Sequence, residues 1–163
     1  MGNDRQHDRT RPSAQCWREK KAGEDQAIGR SRGGLSTKIH TLADAHGNPV
    51  GFLLTGGQAH DLVGADHLLP TMKAKVLLAD KAFDAEARVI APLAAAGKTV
   101  VIPPKASRKS PRSFDKHLYK SRHLIENFFA KLKQFRAIAT RYDKTARNFL
   151  AAVYMIAVVI WLN

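Results

Sequence analysis

The stretch from Lys75 to Ile102 reads KVLLADKAFDAEARVIAPLAAAGKTVVI, and its pattern decides the fold class. Lys75 to Asp80 is a short apolar run ending in a carboxylate, which is typical of a strand buried on both faces. Ala85 to Ala96 predicts a helix, in which Pro92 predicts a kink or a break. Thr99 to Ile102 predicts a second buried strand. Strand, helix and strand at this spacing indicate a right-handed crossover in the parallel part of an α/β sheet.

The segment that precedes this unit predicts an antiparallel hairpin. Leu35 to Leu42 and Val50 to Thr55 have strand character, and residues 43–49 between them are rich in turn formers. Leu62 to Leu69 then has helical spacing, which Pro70 ends. A hairpin, a parallel unit and flanking helices together predict a mixed sheet in an α/β layer architecture.

The composition describes one basic globular domain. The chain has 163 residues and a formal net charge of +13, from 27 Lys and Arg against 14 Asp and Glu. Such an excess of positive charge attracts polyanions. Nucleic acid is the commonest such partner and an anionic membrane surface is the alternative, and charge alone does not choose between them.

Cysteine usage and hydropathy favour a cytoplasmic protein. Cys16 is the only cysteine, which excludes an intrachain disulfide and a multi-cysteine zinc site and favours a reducing compartment. Phe149 to Leu162 is apolar throughout, but its 14 residues fit a buried core helix better than a membrane span. No apolar segment follows the charges of the first residues, which argues against a secretory signal.

Residues 1–34 are polar and show neither a strand nor a helix period, so they predict a loose basic arm. The arm closes with a glycine-rich loop, residues 29–34, that also contains Arg30 and Arg32. Its glycines would let backbone amides approach a phosphate. A flexible lead-in to a strand is the other interpretation of the same residues.

Residues 114–136 predict an amphipathic helix that carries one carboxylate among bases. At about 100° per residue, four polar side chains fall within roughly 60° of one another on one stripe: Tyr119, Arg122, Glu126 and Lys133. A second stripe is apolar and consists of Leu124, Phe128, Leu132 and Phe135, widened by Ile125 and Phe129. Spacing alone fits both a catalytic face and a structural helix with solvated charges.

The four polar positions resemble a family signature. Tyr119, two residues, Arg122, three residues, Glu126, six residues and Lys133 resemble the motif around the catalytic glutamate of bacterial insertion-sequence transposases of the DDE type, the IS-four and IS-five superfamily. The run from Asp80 to Asp84 resembles the second catalytic aspartate of these enzymes with its small, aromatic and acidic followers. The glycine and arginine loop is also similar, and the resemblance extends from about residue 23 to the C-terminus.

The resemblance implies an RNase H-like catalytic domain in which Asp80 and Glu126 are metal ligands and catalytic residues. In two-metal phosphoryl transfer, carboxylates hold two Mg²⁺ or Mn²⁺ ions about 4 Å apart. Water would cleave the phosphodiester at an element end, and the released 3′-hydroxyl would attack target DNA. Five side chains would contact DNA: Arg30, Arg32, Tyr119, Arg122 and Lys133. The implied partners are element ends and target DNA, bound by a homodimer in a synaptic complex in the bacterial cytoplasm, with no membrane involved.

The first aspartate of the family pattern has no counterpart in this chain. It should end a strand upstream of the glycine loop, and neither Asp4 nor Asp8 stands in a segment that forms a central strand. Among the codons allowed for Arg5 to Arg18, one choice read one base later spells DSTIVRAHQHSAG, which is similar to the missing motif. A run of adenines at residues 20–21 would let a ribosome slip back one base, and some family members are joined from two frames in this way.

The expected organisation follows from this departure. Residues 1–34 are a loose basic arm whose first 20 or so residues are read out of frame, and residues 35–163 are a truncated RNase H-like domain lacking its first strand. Such a fragment should bind DNA but be inactive alone, since one of three metal carboxylates is missing. Two other hypotheses remain: a non-catalytic basic DNA-binding protein or regulator derived from a transposase, and another nuclease of the same fold.

Overall fold

A computed structural model describes residues 25–110 and 112–162, which form two small sheets and six α-helices. The predictions for residues 1–24, including the reading frame, Asp4 and Asp8, lie outside the described residues. The first sheet is antiparallel, with the order β1 (Gly29–Ser31), β2 (Gly34–Ala43) and β3 (Pro49–Gly56). The second sheet pairs β4 (Val76–Leu78) with β5 (Thr99–Val101) in parallel.

The predicted hairpin is confirmed. Strands β2 and β3 pair antiparallel from Thr37 opposite Gly56 to the end of β2, where the register shifts at Ala43. The turn between them is held by Asp44, whose Oδ1 accepts 2.9 Å hydrogen bonds from the amides of His46 and Asn48. A short polar side chain that binds nearby amides is the usual chemistry of such turns.

The parallel unit is also confirmed, with a difference in its helix. Between β4 and β5 the chain forms a π-helical turn (Glu86–Ile90) that continues into α2 (Ala91–Ala95). Pro92 has no amide hydrogen to donate, so a change of helix type just before it has a physical cause. Before this unit, α1 (Asp61–Leu68) ends in a 3₁₀ turn (Leu69–Thr71), in agreement with the predicted stop at Pro70.

The C-terminal third is helical and closes the main core. It consists of α3 (Lys116–Lys120), α4 (His123–Gln134), α5 (Arg136–Ala139) and α6 (Ala146–Leu162). The buried cluster between these helices and β3 contains Phe52, Phe128, Leu132, Ile138, Phe149, Val153 and Ala157. A second cluster packs α1 against the parallel unit and contains Leu62, Ala65, Met72, Leu77, Val89, Leu93 and Ile102. Periodicity alone predicts the α4 residues Phe128 and Leu132 as core, and both are buried.

The predicted single helix over residues 114–136 is wrong in its continuity. Helix α3 ends at Lys120, and the amides of Ser121 and Arg122 donate to carbonyls three residues back, at 3.0 and 3.1 Å. Arg122 itself keeps helical dihedral angles (φ −59°, ψ −22°), so it still lies one turn before Glu126. Helix α4 ends at Gln134, and Phe135, predicted to pack on the apolar stripe, is 37% exposed because the chain leaves the helix there.

Two expectations about the sheet and the arm need correction. The mixed sheet is divided in the described residues into an antiparallel and a parallel part, although the α/β class is confirmed. Residues 25–34, predicted as the end of a loose arm, contain β1 and the buried Ala27. The reason is tertiary, because the Arg141 side chain donates to backbone carbonyls of this segment. Among the described helices, α6 included, none has the length and apolar character that a membrane crossing needs.

Candidate active site

Asp80 lies just after β4, at the carboxyl end of the parallel pair, where open α/β sheets tend to bind ligands. Its Oδ1 accepts a 2.6 Å hydrogen bond from the Lys81 amide and caps the 3₁₀ turn Lys81–Phe83. Its Oδ2 makes a separate contact of 3.4 Å with Arg122 Nη2. Asp80 therefore caps a turn and also presents a carboxylate oxygen to another element.

Glu126 lies in the first turn of α4 and meets the same arginine. Arg122 Nη1 donates to Glu126 Oε1 at 2.7 Å, while Nη2 of that guanidinium faces Asp80. A single planar cation thus bridges two carboxylates that are far apart in sequence. A guanidinium is suited to this because its donors form a rigid fork that matches oxygen pairs.

The bridge lies at the surface. The side chains of Asp80, Glu126 and Arg122 are 45%, 60% and 23% exposed. Ion pairs this accessible contribute only about 0–1 kcal/mol, because water screens them. The arrangement can therefore open at low cost, and both carboxylates are reachable by a ligand from solvent.

Tyr119 precedes the Arg122 bridge along the chain, and Lys133 follows it. The Tyr119 ring packs edge-to-face on Phe114, with centroids 5.6 Å apart, and Arg122 Cζ lies 5.9 Å from the Tyr119 centroid. Lys133 is exposed on α4 two turns after Glu126, and no ion pair holds it within the described residues. Of the four signature residues, the structure joins Tyr119, Arg122 and Glu126 by contacts and leaves Lys133 on the same helix.

Arg30 lies on β1, opposite Leu35 of β2, and Arg32 lies in the tight turn that joins the two strands; both are exposed. Gly34 in this turn has φ +103°, a conformation that side chains rarely adopt, so a glycine is needed there. No contact within the described residues joins this turn to Asp80 or Glu126. The structure therefore presents these arginines to solvent, and their role in DNA binding stays a prediction.

The donor chemistry of Asp80 and Glu126 fits a hard divalent cation, since carboxylate oxygens are the ligands that Mg²⁺ and Mn²⁺ prefer. The donor number is small. Among residues 25–110 and 112–162, no group of three or more His, Cys, Asp or Glu side chains could hold a metal ion. A metal held by these two residues would need further oxygens from water, from phosphate or from another carboxylate.

Asp84 is a residue whose importance the sequence pattern missed. Its side chain is only 1% exposed, and it faces Arg108 and Arg112 from the loop after β5. One signal was available in the sequence: Asp84 is an acid next to a segment predicted to be buried. A carboxylate that is buried requires hydrogen-bonding or charged partners. The pattern did not say which of the many nearby cations would supply them.

Comparisons with known proteins find a matching family model and a similar protein. A family model described as the transposase DDE domain matches residues 3–162. A protein of Brucella ovis assigned as a transposase for insertion sequence element IS6501 is 38% identical over 133 residues, which cover 79% of this chain and 100% of that protein. No solved structure gives a significant match.

Proposed function

Because the chain belongs to the transposase DDE domain family, we propose that it is the catalytic-domain part of an insertion-sequence transposase of the IS-four and IS-five superfamily. Its reaction is metal-dependent cleavage of DNA strands followed by strand transfer. The observation that carries the proposal is the Arg122 bridge, which brings Asp80 and Glu126 to one exposed place. Paired carboxylates beside cations are what phosphoryl transfer on DNA requires.

The chain's own residues have separate roles in this reaction. Asp80 and Glu126 would hold the metal, and bound Mg²⁺ or Mn²⁺ would supply activation of the attacking oxygen and stabilisation of the leaving oxygen. Arg122 moves from the carboxylates to a phosphate, with Tyr119 beside it as a hydrogen-bond donor or stacking partner. Lys133, two helical turns after Glu126 on α4, binds the backbone of the same DNA.

Positive charge near the site supports DNA as the substrate. Residues 103–148 contain 13 Lys and Arg against three acids, Asp115, Glu126 and Asp143. Arg30 on β1 and Arg32 in the β1–β2 turn add two further exposed cations. Binding that depends on such cations releases counterions and weakens steeply with salt. In this proposal, the protein acts as a homodimer assembled on element ends in the bacterial cytoplasm.

In this proposal, the chain lacks one of the carboxylates that the reaction needs. Two carboxylates come together in the described residues, whereas the DDE reaction uses three. We assign the third carboxylate to the segment that residues 5–18 would encode if their codons were read one base later. The active enzyme is then a product of two reading frames. That segment completes its RNase H-like sheet. The chain encoded in a single frame then binds DNA without completing the reaction.

A second candidate function is a non-catalytic DNA-binding protein that competes for element ends. It is favoured by the same bridge, because Arg122 occupies both carboxylates in the folded chain, and by the excess of cations over acids among residues 103–148. Both functions predict DNA binding. They differ in whether restoring a third carboxylate produces cleavage.

The test compares the single-frame chain with a protein made from the corrected reading frame, which contains Asp-Ser-Thr upstream. Each is incubated with supercoiled plasmid and Mg²⁺ or Mn²⁺, and nicked circles are quantified. We expect nicking from the corrected protein alone, abolished by either Asp80→Ala or Glu126→Ala. Asp66→Ala is the matched control, because Asp66 is an exposed acid on α1 that is 44% accessible and pairs with Arg88 outside the carboxylate pair. No nicking by the corrected protein in either metal would reject the enzyme and leave the DNA-binding function.

A further inference from the structure

Asp84 is held in a fixed position relative to Asp80. The two residues flank the 3₁₀ turn Lys81–Phe83: Asp80 caps its start, and the Asp84 amide donates to the Lys81 carbonyl at 3.1 Å. The Asp84 side chain is then buried to 1% exposure. An anchor point therefore lies one short turn from the candidate metal ligand.

Three donors from the loop after β5 converge on this carboxylate. We define the basic loop as residues 105–110 and 112–115. Its Lys105 amide donates to Asp84 Oδ2 at 2.8 Å, and Arg108 Nε approaches the same oxygen at 3.3 Å. Arg112 Nη2 approaches Oδ1 at 3.3 Å. A buried carboxylate with three N–H partners is well satisfied, so the loop is tied to the Asp80 turn at both its ends.

The tie divides the cations of the basic loop into two kinds. Arg108 is also paired with Glu86, at 2.5 Å, and its side chain is only 20% exposed. Arg112 is 31% exposed, and its Nε is buried. Lys109, in contrast, is exposed and has no ion pair within the described part of the chain. The arginines are therefore occupied inside the protein, whereas Lys109 is presented outward and the half-buried Lys105 has no ion pair within the described residues.

We propose that Asp84 is a positioning residue that folds the basic loop beside the Asp80 turn, so that Lys109 and Lys105 bind DNA backbone phosphates next to the carboxylate pair. Arg108 and Arg112 are tethers of the loop and do not contact phosphate. The identity of the ligand as DNA rests on the proposed function. The cations that bind the DNA and the residue that positions them are new to this inference.

The direction in which Asp84→Asn changes DNA affinity distinguishes this positioning role from a simple effect of net charge. Asp84→Asn removes a negative charge, and so does the control Asp44→Asn in the β2–β3 turn, where the amides of His46 and Asn48 are bonded. Charge alone predicts that both variants bind DNA more tightly. If Asp84 positions the loop, Asp84→Asn binds more weakly, on the order of fivefold, since ordered phosphate contacts are lost.

The experiment measures duplex DNA binding over a range of salt concentrations, together with amide hydrogen exchange of residues 105–110 in the free protein. For Asp84→Asn we expect faster exchange in this segment, weaker binding and a salt slope reduced by about 1 to 2. Lys109→Ala should reduce the slope by about 1 and leave exchange unchanged. Arg112→Gln, which removes one tether and keeps Asp84, should accelerate exchange if Asp84→Asn proves too unstable to study.

Each other outcome overturns a distinct statement. Unchanged exchange in both tether variants would reject Asp84 as the anchor, whatever the DNA result. Faster exchange with equal or tighter DNA binding would reject the loop as a phosphate-binding surface. A wild-type chain that binds no DNA would reject the proposed function and with it the role of the lysines, while the exchange data would still judge the anchor.

Discussion

The substitution Arg141→Met should destabilise the protein strongly, because this side chain is a buried cation with several partners. Arg141 is 9% exposed, and its guanidinium donates to the carbonyls of Gln26 at 2.6 Å and Ala27 at 2.9 Å. It also donates to the Thr37 hydroxyl, and its Cζ lies 4.8 Å above the Phe149 ring. One side chain thus ties the segment before β1 to β2 and to α6.

The size of the effect follows from these contacts. Hydrogen bonds to a charged group contribute about 1.5–3 kcal/mol each, and a partly desolvated cation–π contact contributes about 1 kcal/mol. Burial lowers the pKa of Arg141 below its usual value, because desolvation disfavours the charged form, and this desolvation opposes part of the gain. The backbone at Arg141 has φ +45°, and methionine does not relieve that strain. We expect a loss of about 3–4 kcal/mol in the free energy of unfolding.

Urea unfolding followed by circular dichroism measures this loss, with Arg136→Met as the control. Arg136 is an exposed arginine at the start of α5, so its replacement should change stability by less than about 0.5 kcal/mol. Amide exchange should also accelerate in residues 26–37, next to Arg30 and Arg32. An Arg141→Met loss below about 1 kcal/mol would show that the guanidinium contacts do not hold this segment.

Three further predictions concern other parts of the structure. Arg122→Gln should tighten Mn²⁺ binding to the free protein by roughly threefold to tenfold, measured by calorimetry, because the cation between Asp80 and Glu126 is removed; weaker binding would contradict this. Burial lowers the pKa of His40 below 6.5, so the unfolded chain binds more protons and the free energy of unfolding should fall as pH drops through 6.5; His40→Gln should flatten that dependence. Gly64→Ala should cost about 1–3 kcal/mol in urea unfolding despite the better helix propensity of alanine, because a Cβ would lie 2.2 Å from the His40 ring; a stabilised variant would exclude the clash.

Local pattern was sufficient for most of the fold. The β2–β3 hairpin follows from strand character on both sides of a polar turn, in which Gly47 adopts φ +87°. The β4–β5 unit follows from two short apolar runs with a helix between them. These features depend on residues only a few positions apart, which is why they can be predicted without the fold.

The predictions that failed depend on longer-range packing. The break between α3 and α4 at residues 121–122 is not visible in the helical period, because the residues on both sides keep that period. The order of residues 25–34 is likewise invisible, since the Arg141 contacts that hold Ala27 come from more than 100 positions later in the chain. Tertiary contacts override local preference at such places.

The candidate site shows the same division between local and long-range information. Spacing alone left Asp80 and Glu126 open to a structural interpretation, and the resemblance to DDE transposases made them candidate metal ligands; the family comparisons agree on the transposase domain. Only the folded chain shows that Arg122 bridges these two carboxylates. It also shows that Arg108 and Arg112 form ion pairs with Asp84. An excess of positive charge can be counted from composition, but the partner of each cation is set by distances between remote segments, and Coulomb energy depends on those distances.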